Sequence, residues 1–209
     1  LFVGHECDTA VLTVDDPQFW QGLPPPLELG HSATLQDPVT VVGYPTGGDN
    51  LSVTVGVISR VDVGAYSHSS ERFLTLQIDA AINAGNSGGP ALKGGRVVGI
   101  AFETLDDAEN IGYIIPTQII DRFLNDLATH GRYTHWCSVG FVSQAIESPA
   151  LKAHLKMGPD QTGVLIGQVF ATSPAAAVVQ SGDVLLELGG HTIANDGTVP
   201  FGVIEAQAA

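Results

Sequence analysis

The sequence predicts a mostly β protein: a small closed antiparallel barrel, a terminal helix, and then a second, smaller unit. Three observations carry that expectation. Up to Ile115 the chain breaks into short apolar or alternating runs bounded by Gly, Pro and Asp, the signature of strands at regular spacing. The 209 residues include 25 Gly and 12 Pro, a composition that favours short strands and turns over a helical bundle. From Pro116 onward the apolar spacing switches to a helical period.

The elements follow in order. Thr9–Val14 is a short apolar run after Asp8. Pro38–Tyr44 is rich in β-branched residues and ends at the loop signal Pro45-Thr46-Gly47-Gly48. Leu51–Val57 alternates as a half-buried strand does, with Leu51, Val53, Val55 and Val57 on one face and Ser52, Thr54 and Gly56 on the other. Phe73–Asp79 comes next. Pro90–Leu92 and Arg96–Phe102 flank the turn Lys93-Gly94-Gly95, and Ile111–Ile115 completes the set. Pro116 then sits where a first helical turn tolerates proline. Ile119, Ile120, Phe123, Leu124 and Leu127 form one apolar stripe, and Gly131 is placed to cap the C-terminus of a helix of about four turns. The stripe reads as a packing face. A second unit is expected from Trp136. It has a strand over Val139–Ala145, a short helix opened by Ser148-Pro149, and a strand over Gly163–Phe170. A further helix start at Ser173-Pro174 and a strand over Val184–Leu188 follow. The expected domains are 1–131 and 136–209.

Bulk properties narrow the function. With 44% hydrophobic residues the chain can bury a sizeable core, and no apolar run reaches the length of a membrane span. The formal charge is -14, from 22 acidic and 8 basic residues, the opposite of the balance a nucleic-acid binder carries. There is no GxxxxGK[ST] phosphate loop, and Cys7 and Cys137 have no metal-ligand spacing, so no cofactor is expected. The two cysteines fit a reducing compartment. The chain begins with Leu1 and shows no signal peptide, which reads as the interior of a longer product.

The chemistry is concentrated in Gly85-Asn86-Ser87-Gly88-Gly89-Pro90. A serine between glycines on a tight turn after a strand is a way to present a nucleophile, because the glycines adopt conformations that a side chain blocks. The same turn can aim the amides of Gly85 and Ser87 into one pocket, where they would stabilise an oxyanion. The competing reading is a glycine-rich hairpin turn with a bystander serine.

With these residues on the page the chain resembles the HtrA/Deg serine proteases, plant-type branch. That family joins a chymotrypsin-like double β-barrel protease domain to one or more PDZ domains. The resemblance rests on Cys7–Leu12, Val41–Pro45, Asp79–Asn83 running into the serine motif, Asn110–Pro116 and the tail Ile193–Phe201, and so covers residues 5 to 201. It implies Ser87 as nucleophile and Asp8 as the triad carboxylate; by residue type alone, an Asp before a strand is also ordinary turn chemistry. In this fold the histidine precedes the aspartate by tens of residues, in the other barrel. Only seven residues precede Asp8, and among them His5 reads as a surface residue. The resemblance therefore implies that this chain holds mainly the C-terminal barrel and its helix, and that the catalytic His is absent from it. It assigns Ile82, Ile111, Gly112 and Tyr113 to the specificity pocket, with small aliphatic residues preferred at the cleavage position. Asp79 is not read as a selector of basic side chains.

The second unit resembles a partial PDZ domain, with Val139-Gly140-Phe141 as the carboxylate-binding loop. The groove helix should follow Phe201, but Gly202–Ala209 departs from the family pattern. The function implied is ATP-independent endoproteolysis of damaged or unfolded proteins through an acyl-enzyme, with peptides and unfolded chains as partners and no nucleic acid. The full-length protein would be a trimer-based homo-oligomer of chloroplast, mitochondrion or nucleus, and this chain alone would be inactive. The alternative is a non-catalytic peptide-binding or chaperone-like module on a protease fold.

Overall fold

Six strands close into the expected barrel. In the computed structural model, which describes residues 1–30, 33–45, 49–104 and 111–199, the chain divides into two compact units, Leu1–Trp136 and Cys137–Ala209. The predicted segment from Phe201 onward, His31, Asn110 and the loop Thr46–Gly48 lie outside the described residues.

The first unit opens with a small hairpin, β1 (Phe2–Gly4) paired antiparallel with β2 (Thr9–Val11). Then come β3 (Pro38–Gly43), β4 (Ser52–Ala65), β5 (Arg72–Ile78), β6 (Pro90–Lys93), β7 (Arg96–Thr104) and β8 (Gly112–Pro116). They close in the order β3-β4-β5-β8-β7-β6, every neighbouring pair antiparallel, so no strand edge is left open. The interior is filled by Val39, Val41, Ile58, Leu76, Ile78, Ala91, Val98 and Ile114. A second cluster lies outside the barrel wall, where α1 (Thr117–His130) packs Ile119, Ile120 and Phe123 against Ile115, Tyr66 and Cys7. Gly131 caps α1 in the left-handed conformation, at φ 64. Pro116 is the N-cap itself and the last residue of β8, one step before the first turn predicted for it.

Two expectations are corrected by packing. The alternation over Leu51–Val57 is real, but it is inverted relative to solvent. Leu51, Val53 and Val55 are 55%, 57% and 70% exposed, while Ser52, Thr54 and Gly56 face inward. The inward side is crowded by the backbone that follows β5. Thr54 Oγ1 donates to the Ala81 carbonyl at 3.0 Å, and any Cβ on Gly56 would run into the Ala80 amide. Only small residues fit there. Trp136, expected to open the second unit, closes the first: its ring lies 4.7 Å from that of Phe73, with the Arg122 guanidinium 5.7 Å from its centroid.

The second unit is a three-stranded antiparallel sheet, ordered β11-β10-β9, from β9 (Phe141–Ala145), β10 (Val164–Val169) and β11 (Val184–Leu185). The strand predicted over Val184–Leu188 divides. Its second half, β12 (Glu187–Leu188), turns away and pairs with β13 (His191–Thr192). Both Ser-Pro signals open helical turns: α2 (Pro149–His154) and a 3-10 turn over Pro174–Ala177. Ile146, Val164, Ile166 and Ile193 are its buried apolar residues. Among the described residues no helix is long and apolar enough to cross a membrane.

Candidate active site

The serine turn is fixed by its own backbone. Gly85 and Gly88 take φ 101 and φ 86, a region that a side chain strongly disfavours. The Asn86 amide donates to the Asn83 carbonyl, the Gly88 amide to Ala101 on β7, and the Gly89 amide back to Asn86. Gly89 lies so close to β3 that a Cβ there would run into the Val42 carbonyl. The Asn86 side chain is buried against Gly43, where an added Cβ would sit 2.7 Å from Asn86 Oδ1. Pinned on both sides, the turn leaves Ser87 exposed.

The Ser87 hydroxyl donates to the Phe102 carbonyl at 3.2 Å. Neither the Gly85 nor the Ser87 amide donates to another group among the described residues. Two free donors beside an exposed serine are what an oxyanion site requires.

Asp8 sits in the turn between β1 and β2, exposed and at φ 48. A left-handed conformation costs a non-glycine residue on the order of 1 kcal/mol, least for Asp and Asn. The residues beside it are anchored. Cys7 is fully buried, and Thr9 Oγ1 donates to the Cys7 carbonyl at 2.9 Å. One buried residue, Tyr66, links the surroundings of the two turns. Tyr66 is fully buried, and burial holds its hydroxyl well above the usual tyrosine range, with the nearby charges of Cys7 and Asp8 adding to the effect. Its ring lies 4.8 Å from that of Phe102, whose carbonyl receives the Ser87 hydroxyl. Among the described residues no histidine hydrogen-bonds Ser87 or Asp8. His5 is exposed, His130 bonds the Asp126 carbonyl and His135 bonds Glu6.

Of the expected pocket residues, Ile82 and Gly112 are brought together; a Cβ on Gly112 would meet Ile82 Cδ1 at 2.6 Å. Ile111 is half-buried beside them in sequence. Tyr113 alternates to the other face of β8, where its hydroxyl accepts from Arg60 at 3.2 Å. There it lines a cavity of about 150 Å³ with Asp62, Thr75 and Phe102. Asp79 is structural: Oδ1 accepts the Val57 amide at 2.6 Å where β4 bulges. In the second unit Gly140 takes φ 78. Its amide donates to Ser138 Oγ at 3.2 Å, and its carbonyl accepts from Phe170 and Ser173. Val139 is 53% exposed and Phe141 begins β9. Among the described residues no group of three His, Cys, Asp or Glu side chains could hold a metal ion.

Sequence reasoning missed one cluster. Glu6 accepts from His135 Nδ1 at 2.7 Å and, through its backbone carbonyl, from Ser69 Oγ at 2.9 Å. Burial raises the Glu6 carboxyl, but the nearby Tyr133 hydroxyl and the hydrogen bond from His135 outweigh it and hold the group below its usual range. His135, also left-handed at φ 70, lies with its ring 4.7 Å from that of Tyr133. Glu6 and His135 are 129 residues apart in sequence, so no local pattern could have announced the pair.

The barrel and the serine turn agree with a family match: residues 2–100 fit the trypsin-like peptidase domain. That defines the class of the first unit as a trypsin-like peptidase domain. Among plant proteins the chain is 48% identical over 201 residues to "Protease Do-like 2, chloroplastic" of Arabidopsis thaliana, covering 95% of this chain and 33% of that one. It is 44% identical over 199 residues to "Protease Do-like 4, mitochondrial" of the same organism, covering 95% of this chain and 38% of that one. Among solved structures, "HtrA-type protease AlgW with decapeptide" superposes with a TM-score of 0.63 at 28% identity, over 83% of this chain and 54% of that one. The chain belongs to the HtrA/Deg family of serine proteases. It spans about a third of the length of the plant relatives it matches.

Proposed function

We propose that the protein is an ATP-independent serine endopeptidase acting on damaged or unfolded proteins, with Ser87 as nucleophile. The single observation behind this reading is the Ser87 turn: an exposed hydroxyl beside two unengaged backbone amides. Ser87 Oγ would leave the Phe102 carbonyl, lose its proton to an imidazole, and attack the scissile carbonyl carbon. The oxyanion would sit between the Gly85 and Ser87 amides. Collapse would expel the amine, which takes the proton held by the imidazolium, and leave an acyl-enzyme, which water then hydrolyses with the imidazole again as base. Asp8 would hold the imidazole in the tautomer that accepts the serine proton and stabilise the cation formed. The family places that imidazole well ahead of the carboxylate in sequence, and among the described residues no histidine bonds Ser87 or Asp8, so this chain alone should be inactive. Removing one triad member leaves only the rate enhancement supplied by binding and the oxyanion site.

Ile82 against Gly112 would close the pocket with aliphatic surface, which fits small aliphatic residues at the cleavage position. We further assign the second unit to a partial PDZ domain, with Val139-Gly140-Phe141 receiving a peptide carboxylate. Ser138 Oγ would have to release the Gly140 amide for that. The relatives' names support a plant organelle for the whole protein, and the family implies trimer-based assembly.

The test is a fluorophosphonate probe and a casein digest on this chain, on the full-length protein and on full-length Ser87→Ala. Labelling and cleavage by the full-length protein, lost in Ser87→Ala and absent from this chain alone, is expected. Equal turnover by this chain and the full-length protein overturns the claim of inactivity. One observation favours a second reading: the Ser87 hydroxyl is spent on the Phe102 carbonyl, and among the described residues no histidine hydrogen-bonds it. If the full-length protein neither labels nor cleaves but binds unfolded chains, it is a peptide-binding module on a protease fold.

A further inference from the structure

Three residues from two segments remote in sequence converge on the residue two places before Asp8. Ser69, in the connection between β4 and β5, fixes the Glu6 carbonyl at 2.9 Å. His135, in the strap that leaves α1, fixes the Glu6 carboxylate at 2.7 Å. Tyr133, in the same strap, buries its hydroxyl close enough to the Glu6 carboxylate for each to alter the other's titration, although neither the hydroxyl nor Glu6 Oε2 has a partner at full hydrogen-bonding geometry.

The strap is itself anchored. The Thr134 amide and hydroxyl donate to the buried Asp126 carboxylate on α1, at 2.5 and 2.6 Å. His135 is held left-handed between that anchor and Glu6. Barrel closure uses none of this, because all six barrel strands pair without residues 1–11 or 131–136. What the convergence does fix is the backbone entering the Asp8 turn. Asp8 is exposed and makes no hydrogen bond among the described residues, so its direction depends on the positions of Glu6 and Cys7.

We infer that Glu6 is a positioning residue for Asp8, acting through His135, so that the strap running from α1 to the second unit sets the orientation of the triad carboxylate. The inference rests on the reading of Asp8 and Ser87 given above. Glu6 touches no reacting group. Its effect is on where the Asp8 carboxylate points, and displacements of about 1 Å in a catalytic group cost up to roughly a hundredfold in rate.

The test uses the full-length protein with Glu6→Gln, His135→Phe and the double variant. Glu6→Gln removes the carboxylate charge and His135→Phe removes the ring nitrogen that contacts it, each with little change of side-chain shape. Each single variant should lower kcat on casein about tenfold with KM within roughly twofold, and the double variant should be no slower than either single. In parallel, hydrogen exchange of a peptide spanning residues 5–11 should accelerate in both variants, while the 85–90 peptide is unchanged. Wild-type kcat in both singles, a loss confined to KM, or a double variant showing the product of the two single losses overturns the inference. If the wild-type protein proves inactive, the protease reading fails on its own, and exchange still decides: an unmoved 5–11 peptide overturns the clamp.

Discussion

The two turns that carry the candidate chemistry are built in opposite ways. The Ser87 turn is held by its immediate neighbours: glycines at positive φ, amides bonded within the motif and to β7, and a contact with β3 that only Gly89 permits. The Asp8 turn is closed locally by the β1–β2 pairing and the Thr9–Cys7 bond, and is placed by contacts from far along the chain. It rests on Phe123 from below, on Ser69 from one hairpin and on His135 from the strap after α1. A nucleophile that must be placed to a fraction of an ångström can be fixed by a motif. An orienting carboxylate can instead be placed by tertiary contacts, and its position then responds to whatever moves them.

The comparison can be broken most directly through Phe123. Its ring is fully buried beneath Gly4, where an added Cβ would meet Phe123 Cε2 at 2.8 Å. Phe123→Ala should cost about 4 kcal/mol in urea unfolding. Amides of residues 2–11 should lose exchange protection before those of residues 85–90; simultaneous loss would show that the two turns are not held separately. Gly89→Ala is the converse experiment. Forcing a methyl against the Val42 carbonyl should cost roughly 3 kcal/mol, distort the Ser87 turn, and leave exchange at residues 2–11 at the wild-type rate.

Acid sharpens the contrast. Hydrogen bonds from Thr134 hold the Asp126 carboxyl below its usual range, and the nearby Tyr133 hydroxyl and the His135 hydrogen bond do so for Glu6 against the effect of burial. A carboxylate whose pKa is lower folded than unfolded adds stability above the unfolded value, and that contribution is lost as pH falls through the folded one. The Asp8 hairpin should therefore be protected down to about pH 5 and loosen below about pH 4, ahead of the serine turn. Asp126→Asn should flatten that dependence. The smallest effect belongs to the outward face of β4, where Val55→Thr should shift stability by less than about 0.5 kcal/mol and reduce self-association.

The legible parts of the molecule were those written in adjacent residues. The turn at Gly94-Gly95, the helix cap at Gly131 and both Ser-Pro helix starts fall where local chemistry put them. The β4 alternation was legible as a period but not as a direction, because the backbone at 79–81 decides which side has room. The division of Val184–Leu188 into two strands was not legible either, since two different partners claim its halves. Ser87 could be found by its motif. Tyr113 could not be aimed, because its face of β8 is chosen by the barrel.

Sequence alone determined the barrel class, the terminal helix and the serine turn, because hydrophobic period, turn residues and glycine placement act over a few positions. Tertiary structure decided what surrounds Asp8. A half-buried carboxylate, a left-handed histidine and a hydroxyl 63 residues from Glu6 become neighbours only once the barrel has closed and α1 has packed on it. Such contacts are set by geometry between elements, which no local pattern encodes.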